Sequence, residues 1–390
     1  MHAVPVIALI DGEHHPSAVR DVLAGLDLAG VVFCGGEEKL PAGPLDEVYG
    51  RPVDTDPEEA LRRLAPAAET VVDLADEPVL PPSAKLRLAA LALHLGLRFE
   101  GPGLRLDPPD YAPVAFEGPK LAVIGTGKRT GKTAVAGHWA GLLRQLDPVI
   151  VCMGRGGPEQ PTVAAADTGL AELLEIVERG GHGASDYLED AVLAGVRTVG
   201  CRRVGGGLAG APWDSNVPAG AELAASLPGA GALIFEGSGS CIPPVEVDRT
   251  VCVVGPGPPE PLAEYAPLRA QLLLAHEGAV APPGALRFSL RPEPAEPLPD
   301  GARVALFTTG APGCQGVEPV VTSANLARRA ALAADLDRAA AAGCDVYLTE
   351  LKAAAIDSVA RHAAEHGARV VFVRNRPVGV DDALLELADA

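Results

Sequence analysis

Short apolar runs alternate with stretches of helical period along nearly the whole chain. "PVIALIDG" (5–12), "AGVVFCGG" (29–36) and "ETVVDLAD" (69–76) read as strands, each a continuous apolar run closed by Gly or Asp. "PSAVRDVLAGL" (16–26) and "SAKLRLAALALHLG" (83–96) repeat every three to four residues and read as helices, the second ending at glycine. Strand and helix in alternation predict βαβ units around a parallel sheet. Residues 101–119 then lose all period, with five prolines and three glycines, and predict a linker and a domain boundary.

A second unit begins with a strand at 120–125. Further strands are expected at 147–154, 197–204, 232–239 and 249–257. "TGLAELLEIVERGG" (168–181) predicts an amphipathic helix: Leu170, Leu173, Leu174 and Val177 share a face, and Glu172, Glu175 and Glu178 point away. A Pro-rich loop is expected at 281–301. Strands at 303–309, 345–351 and 369–375 follow, alternating with helices at 323–342, 353–366 and 381–389. These last strands are expected to extend the second sheet rather than form a separate domain.

Composition narrows the function. The chain has 390 residues and a formal net charge of −19. That far field repels polyanions, so neither nucleic acid nor an anionic membrane is expected as a partner. An anionic ligand must meet a local positive pocket instead. Lysine is scarce, at 39, 85, 120, 128, 132 and 352, and two of these lie in one turn. The seven cysteines are scattered without a C-x-x-C pair, which argues against disulfides and zinc and for a reducing, cytoplasmic setting. Asp11, Glu13 and two histidines interrupt the first apolar run, so no signal peptide is expected. No apolar stretch reaches the roughly 18 residues of a membrane span.

The turn "GTGKRTGKT" (125–133) carries the strongest chemical signal. It lies between a strand and a helical pattern and ends in Gly131-Lys132-Thr133, as a phosphate-binding loop does. Residues Gly125, Thr126, Gly127, Lys128, Arg129, Thr130, Gly131, Lys132, Thr133 and Ala134 would cradle phosphates with backbone N–H groups at a helix N-terminus. Lys132 is expected to reach the β- and γ-phosphates, and the Thr133 hydroxyl to hold Mg²⁺. Lys128 and Arg129 add positive charge beside bare backbone. Thr126 departs from the strict pattern, which places glycine there. The expected fold is therefore α/β: a P-loop parallel-sheet core domain (119–390, with the 281–301 loop inside it) preceded by a smaller Rossmann-like α/β domain (1–110).

The departure at Thr126 resembles the loop of dethiobiotin synthetases, where Gly-Thr also opens a loop ending in Gly-Lys-Thr. "GALIFEGSGS" (231–240) is similar to their Glu-Gly-Ala-Gly segment, and the resemblance implies Glu236 as a second Mg²⁺ contact beside Thr133. Five segments together resemble the cyclic 2,3-diphosphoglycerate synthetase family: "IGTGKRTGKTAVAGH", "MGRGGPEQP", "IDGEHHP", "FEGSGSCIPP" and "YLTELKAAAID". The likeness runs over nearly the whole chain. It implies an enzyme that uses ATP and Mg²⁺ to close 2,3-diphosphoglycerate into a cyclic phosphoanhydride, working as a homodimer, with Lys132, Lys128, Arg129 and Glu236 at the chemistry.

Crowding ATP and a second polyanion together calls for guanidinium forks. Arg155 in "MGRGGP" and the pair Arg202–Arg203 are the candidates, with Lys352 after the strand at 345–351. Asp11, Glu13, His14 and His15 cluster after the first strand, where α/β sheets place ligands, and are expected to help bind the substrate from a capping domain. Two other readings stay open: an ATP-dependent synthetase of the dethiobiotin type, and an ATPase switch of the partition or septum-positioning type. The switch reading is weakened because Gly127, not lysine, stands five residues before Lys132. Without an Asn-Lys-x-Asp motif, ATP is favoured over GTP.

Overall fold

In the computed structural model, residues 5–257, 264–310, 313–352 and 355–389 are described. The chain forms two compact units. One comprises Met1–Asp110, Gly206–Ala211 and Pro258–Arg269, the other Tyr111–Gly205, Pro212–Gly257 and Ala270–Ala390. The second unit is thus interrupted twice along the sequence, where a single continuous core domain was expected.

Among the described residues, the first unit holds five strands: β1 (Val6–Ile10), β2 (Leu28–Phe33), β3 (Thr70–Asp73), β4 (Arg98–Gly101) and β5 (Leu104–Leu106), in the order β2-β1-β3-β4-β5. The first four are mutually parallel, and β5 returns antiparallel along β4. That hairpin corrects the linker reading of 101–119, since Gly103 at φ +72° turns the chain back on itself. Helices Pro57–Leu64 and Pro82–His94 cover the core of Ile7, Leu9, Val71, Leu91 and Phe99.

The carboxyl edge of this sheet is tied by polar contacts. Asp11 is fully buried. Its Oδ1 accepts from the backbone N–H of Glu13 (3.0 Å) and lies 2.7 Å from His14 Nδ1, while Oδ2 accepts from the Asp76 N–H at 2.5 Å. Burial alone would raise the Asp11 carboxyl, but the bonds from Asp76 and His14 outweigh it and hold it below its ordinary value. The same bond to Asp11 raises His14. Gly12 packs against the β2 turn, so closely that a Cβ there would sit 2.0 Å from the Gly36 carbonyl oxygen.

Among the described residues, the strands of the second unit form one 13-stranded sheet. Its strands are β6 (Lys120–Gly125), β7 (Pro148–Gly154), β8 (Thr162–Ala164), β9 (Arg197–Val204), β10 (Asp214–Ser215), β11 (Ala232–Glu236), β12 (Arg249–Val254), β13 (Leu272–His276), β14 (Leu286–Pro294), β15 (Val304–Phe307), β16 (Val321–Ser323), β17 (Val346–Glu350) and β18 (Arg369–Val378). The order is β10-β9-β7-β11-β6-β12-β13-β14-β18-β17-β15-β16, with β8 also on β9. The last strands do extend the core sheet. The P-loop helix (Lys132–Leu142) packs on its face through Val135, Trp139 and Leu143, against Leu121, Ile150 and Phe288. Trp139 Nε1 donates to the Leu384 carbonyl at 2.9 Å, which pins the final helix (Asp381–Asp389) beside it.

The Pro-rich loop expected at 281–301 is corrected, because β14 lies inside it. Leu286, Phe288 and Leu290 alternate with period two. β14 pairs parallel with β13 through residues 286–288 and antiparallel with β18 through 289–294. Proline content hid the strand: Pro292 and Pro294 keep their carbonyls for the ladder and lack only N–H donors. Residues 321–323 form a strand rather than the start of a helix, which begins at Arg329. The helix expected at 353–366 is a π-turn (Ala355–Val359) continuing into Ala360–Glu365; residues 353–354 lie outside the described residues.

Two outcomes follow for the first unit. Gly12→Ala should destabilise it by roughly 1–3 kcal/mol, the usual cost of overpacking against backbone; a change in urea midpoint within experimental error would refute the close approach. The second concerns pH. Because folding raises His14, its stabilisation is complete below the ordinary value of 6.5 and is lost as pH climbs through the raised value. Asp11 behaves oppositely, contributing above its ordinary value of 3.8 and losing that contribution in acid. The melting temperature of the wild type relative to His14→Gln should therefore shrink on going from slightly acidic to alkaline buffer, and a constant difference would contradict the pairing.

Candidate P-loop site

The site is built where β6 hands over to the P-loop helix. Gly131 takes φ +91°, a left-handed conformation that a side chain would strain, and a Cβ there would also meet Leu290 Cδ1 at 3.0 Å. Below it, His276 at the end of β13 lies with Nε2 2.8 Å from the Thr130 carbonyl. Thr126 has a structural job. Its backbone N–H donates to the Val253 carbonyl (3.2 Å) and its hydroxyl oxygen accepts from the Gly255 N–H (3.1 Å). The residue that replaces glycine thus ties the loop to the end of β12, and the ten residues from Gly125 to Ala134 form one continuous turn into the helix. Arg129 stands exposed at the tip with φ +58°, which costs a non-glycine residue roughly 1–2 kcal/mol.

Lys132 folds back over the loop. Only 7% of it is exposed, and its ammonium donates to the Gly127 carbonyl at 2.7 Å. Burial lowers its pKa, against the attraction of Glu236. The Thr133 hydroxyl donates to Glu236 Oε1 at 2.6 Å. β11 lies directly beside β6 with Glu236 level with Val123, so the parallel register delivers the carboxylate to the first turn of the helix.

Behind Glu236 lie two groups that sequence reading missed. The Cys152 thiol, on β7, donates to Glu236 Oε2 at 3.2 Å. Asp190, on the helix Asp186–Ala194, is buried, and neither of its carboxylate oxygens accepts a hydrogen bond from a side-chain or backbone donor among the described residues. Burial pushes the Asp190 carboxyl well above its ordinary range and raises Glu236 as well. Burial likewise keeps the Cys152 sulfur a thiol. The only hint of Asp190 in the sequence is an acidic run, "SDYLED" (185–190).

The predicted cations converge in part. The space above Gly239, after β11, is bounded by Arg155, Arg203 and Lys128: a Cβ built on Gly239 would lie 2.7 Å from Arg155 Nη2, 3.6 Å from Arg203 Nη2 and 3.8 Å from Lys128 Cγ. Arg203 is held there by donating to the Ser238 carbonyl at 2.9 Å, and its Nε is buried without a partner among the described residues. Arg202 precedes it on β9, and the alternation of a strand sends it to the opposite face. Arg155 also lines a cavity of about 370 Å³ with Gly157, His182, Ser185 and Asp186.

Other predicted residues are occupied locally. Lys352 lies 3.4 Å from Glu189 Oε2, and the neighbouring Glu350 accepts from the Thr309 hydroxyl. His15 caps the helix Pro16–Ala24, accepting from the Ser17 N–H, and Glu13 pairs with Lys39. Asp11 and His14 are spent on each other and on Asp76, as described above.

The donor set suits a hard cation. The Thr133 hydroxyl and the Glu236 carboxylate offer only oxygen at the helix start, with the Cys152 sulfur engaged as a hydrogen-bond donor. The glycine-bearing turn, opening onto a helix N-terminus with a buried lysine, suits a nucleotide's phosphates. No described helix is long and apolar enough to cross a membrane.

Comparison with known proteins agrees over the whole chain. Three family models match in series: the N-terminal domain of cyclic 2,3-diphosphoglycerate synthetase over residues 5–107, its P-loop domain over 120–272 and its C-terminal domain over 301–376. A cyclic 2,3-diphosphoglycerate synthetase of Rubrobacter xylanophilus is 43% identical, covering 98% of this chain and 96% of that relative. Those of Thermococcus onnurineus (37%, 98% of each chain) and Methanothermobacter thermautotrophicus (35%, 99% of this chain and 94% of that one) are similarly alike. With similarity over nearly the full length and a loop ending in Gly131-Lys132-Thr133, the chain belongs to the cyclic 2,3-diphosphoglycerate synthetase family.

Proposed function

We propose that this protein is an ATP- and Mg²⁺-dependent synthetase that closes 2,3-diphosphoglycerate into its cyclic phosphoanhydride, releasing ADP and phosphate. The observation that carries the reading is the convergence of Arg155, Arg203 and Lys128 above Gly239, at the end of the strand that brings Glu236 to Thr133. An acidic molecule has assembled a cationic bowl beside a phosphate loop, which is what a second polyanion needs.

The chemistry follows from those positions. In the first step the bond between ADP and the γ-phosphorus breaks as an oxygen of one substrate phosphate takes that phosphoryl group. In the second, an oxygen of the other substrate phosphate attacks the inner phosphorus, the ring anhydride forms and inorganic phosphate leaves. The nucleophile is an ionised phosphate oxygen in both steps, so no strong base is required. Holding the two substrate phosphates together makes the second attack intramolecular, a large gain in effective molarity. Lys132 moves from the Gly127 carbonyl to the transferring phosphoryl group, and the loop N–H groups hold its oxygens. Arg155 and Arg203 orient the substrate as bidentate donors, with Lys128 adding charge. Arg129, exposed at the loop tip, adds charge for the approaching phosphates. Thr133 and Glu236 would hold Mg²⁺, which when bound neutralises charge on the β- and γ-phosphates.

The reaction is tested by ³¹P NMR of mixtures with ATP, Mg²⁺ and 2,3-diphosphoglycerate. A cyclic pyrophosphate signal that requires all three is expected. ATP turnover that rises with a carboxylate or amine substrate instead, or with a protein or DNA partner, would select one of the other two readings. Lys132→Ala should reduce turnover at least about a hundredfold; wild-type rates would remove the loop from the site. Arg155→Ala and Arg203→Ala should each lower kcat/KM for the diphosphoglycerate by roughly ten- to a hundredfold, the worth of a charge-assisted hydrogen bond, with a smaller effect on KM for ATP. An equal loss for both substrates would place the two arginines on the nucleotide.

A further inference from the structure

The reading above uses one carboxylate for the metal, yet the structure buries two. Asp190 is 1% exposed, and its oxygens find no hydrogen-bond donor among the described residues. The donors nearby are already committed: the Thr133 hydroxyl to Glu236 Oε1 and the Cys152 thiol to Glu236 Oε2. What Asp190 does face is Glu236 itself, with ligand atoms of Asp190, Glu236 and Cys152 all within 4.8 Å of one another. Two carboxylates buried face to face, one of them without a donor, are stabilised by a cation between them. A fold that wanted only packing there would be served by an apolar side chain, so this position calls for a ligand.

Access agrees with that requirement. A cavity of about 270 Å³ runs along the P-loop helix past Gly137 and His138, and both Thr133 and Asp190 line it. An ion with part of its hydration shell has room to enter and to keep water ligands, as Mg²⁺ does. Asp190 comes from the helix Asp186–Ala194, so it brings a donor from an element other than the loop and Glu236's strand.

We propose that Asp190 is the second protein carboxylate ligand of a divalent-cation site, completing the set begun by Thr133 and Glu236. The ligand class is a hard cation, Mg²⁺ or Mn²⁺, because the free donors are oxygen and the thiol is engaged as a hydrogen-bond donor. This rests on the metal assignment made under Proposed function, and it adds a residue that neither the motif nor the register of β11 reveals. The role is anchoring: Asp190 binds the ion in the resting protein, before nucleotide arrives.

The test measures metal binding directly. Mn²⁺ is titrated into the full-length protein without nucleotide, and the free ion is followed by electron paramagnetic resonance. Asp190→Asn and Glu236→Gln should each weaken Mn²⁺ binding by about tenfold or more. Binding of a fluorescent ADP in excess EDTA should stay unchanged in Asp190→Asn. If Glu236→Gln loses the metal while Asp190→Asn keeps wild-type affinity, the Asp190 assignment is overturned and the Thr133–Glu236 site survives. If neither variant changes affinity, both fail. Should Asp190→Asn not fold, wild-type crystals soaked in Mn²⁺ decide the matter. An anomalous peak within coordination distance of both Asp190 and Glu236 supports the proposal, and a peak on Glu236 alone refutes it.

Discussion

The parallel pairing of β6 with β11 is the constraint on which the rest of the site depends. It sets Glu236 level with the strand that leads into the phosphate loop, and so places a carboxylate 2.6 Å from the Thr133 hydroxyl. A slip of one residue would send Glu236 to the other face of the sheet, because side chains alternate with a period of two. The register is itself held by a core of large apolar groups on the same strands, Leu121, Val123 and Ile234 among them, packed on Val135 and Trp139 of the P-loop helix. Hydrophobic packing thus fixes a polar geometry that no polar interaction would hold in water.

The electrostatics are arranged at two scales. The molecule as a whole carries −19, which keeps non-specific polyanions away. Within that field the cations near the loop are concentrated rather than numerous. Lys132 is buried, Arg203 is braced on a carbonyl, and Arg155 and Lys128 stand over the same glycine. At the end of β11, Glu236 faces the buried Asp190. Cationic groups and buried carboxylates thus occur in the same unit near the loop, where burial weakens screening by water.

The sheet of the second unit owes its continuity to β14. Its first three residues run parallel to β13 and the rest run antiparallel to β18, so one strand joins the P-loop half to the C-terminal half. That joint also reaches the site, since Leu290 of β14 packs under Gly131 and His276 of the neighbouring β13 supports Thr130. Family models divide the chain between these halves, at residues 272 and 301, yet hydrogen bonding does not.

Much of this was legible in the sequence because it is local. Glycine spacing, a lysine and a threonine at the mouth of a helix, and an apolar run ending in Glu-Gly-Ser-Gly each describe a backbone conformation set by neighbours along the chain. The parallel α/β architecture followed from period alone. Proline composition masked β14, since the same residues serve a loop or a strand whose ladder needs only their carbonyls. The sequence also left Arg202 and Arg203 equivalent, gave Asp190 no special mark and left His276 unnoticed. Which arginine faces Gly239, which acid faces Glu236 and which histidine props the loop depend on register and helix placement between segments far apart in the chain. The chain alone determined the chemistry of one turn; only packing decided which distant side chains would share its space, because burial and charge compensation exist only once the core has closed.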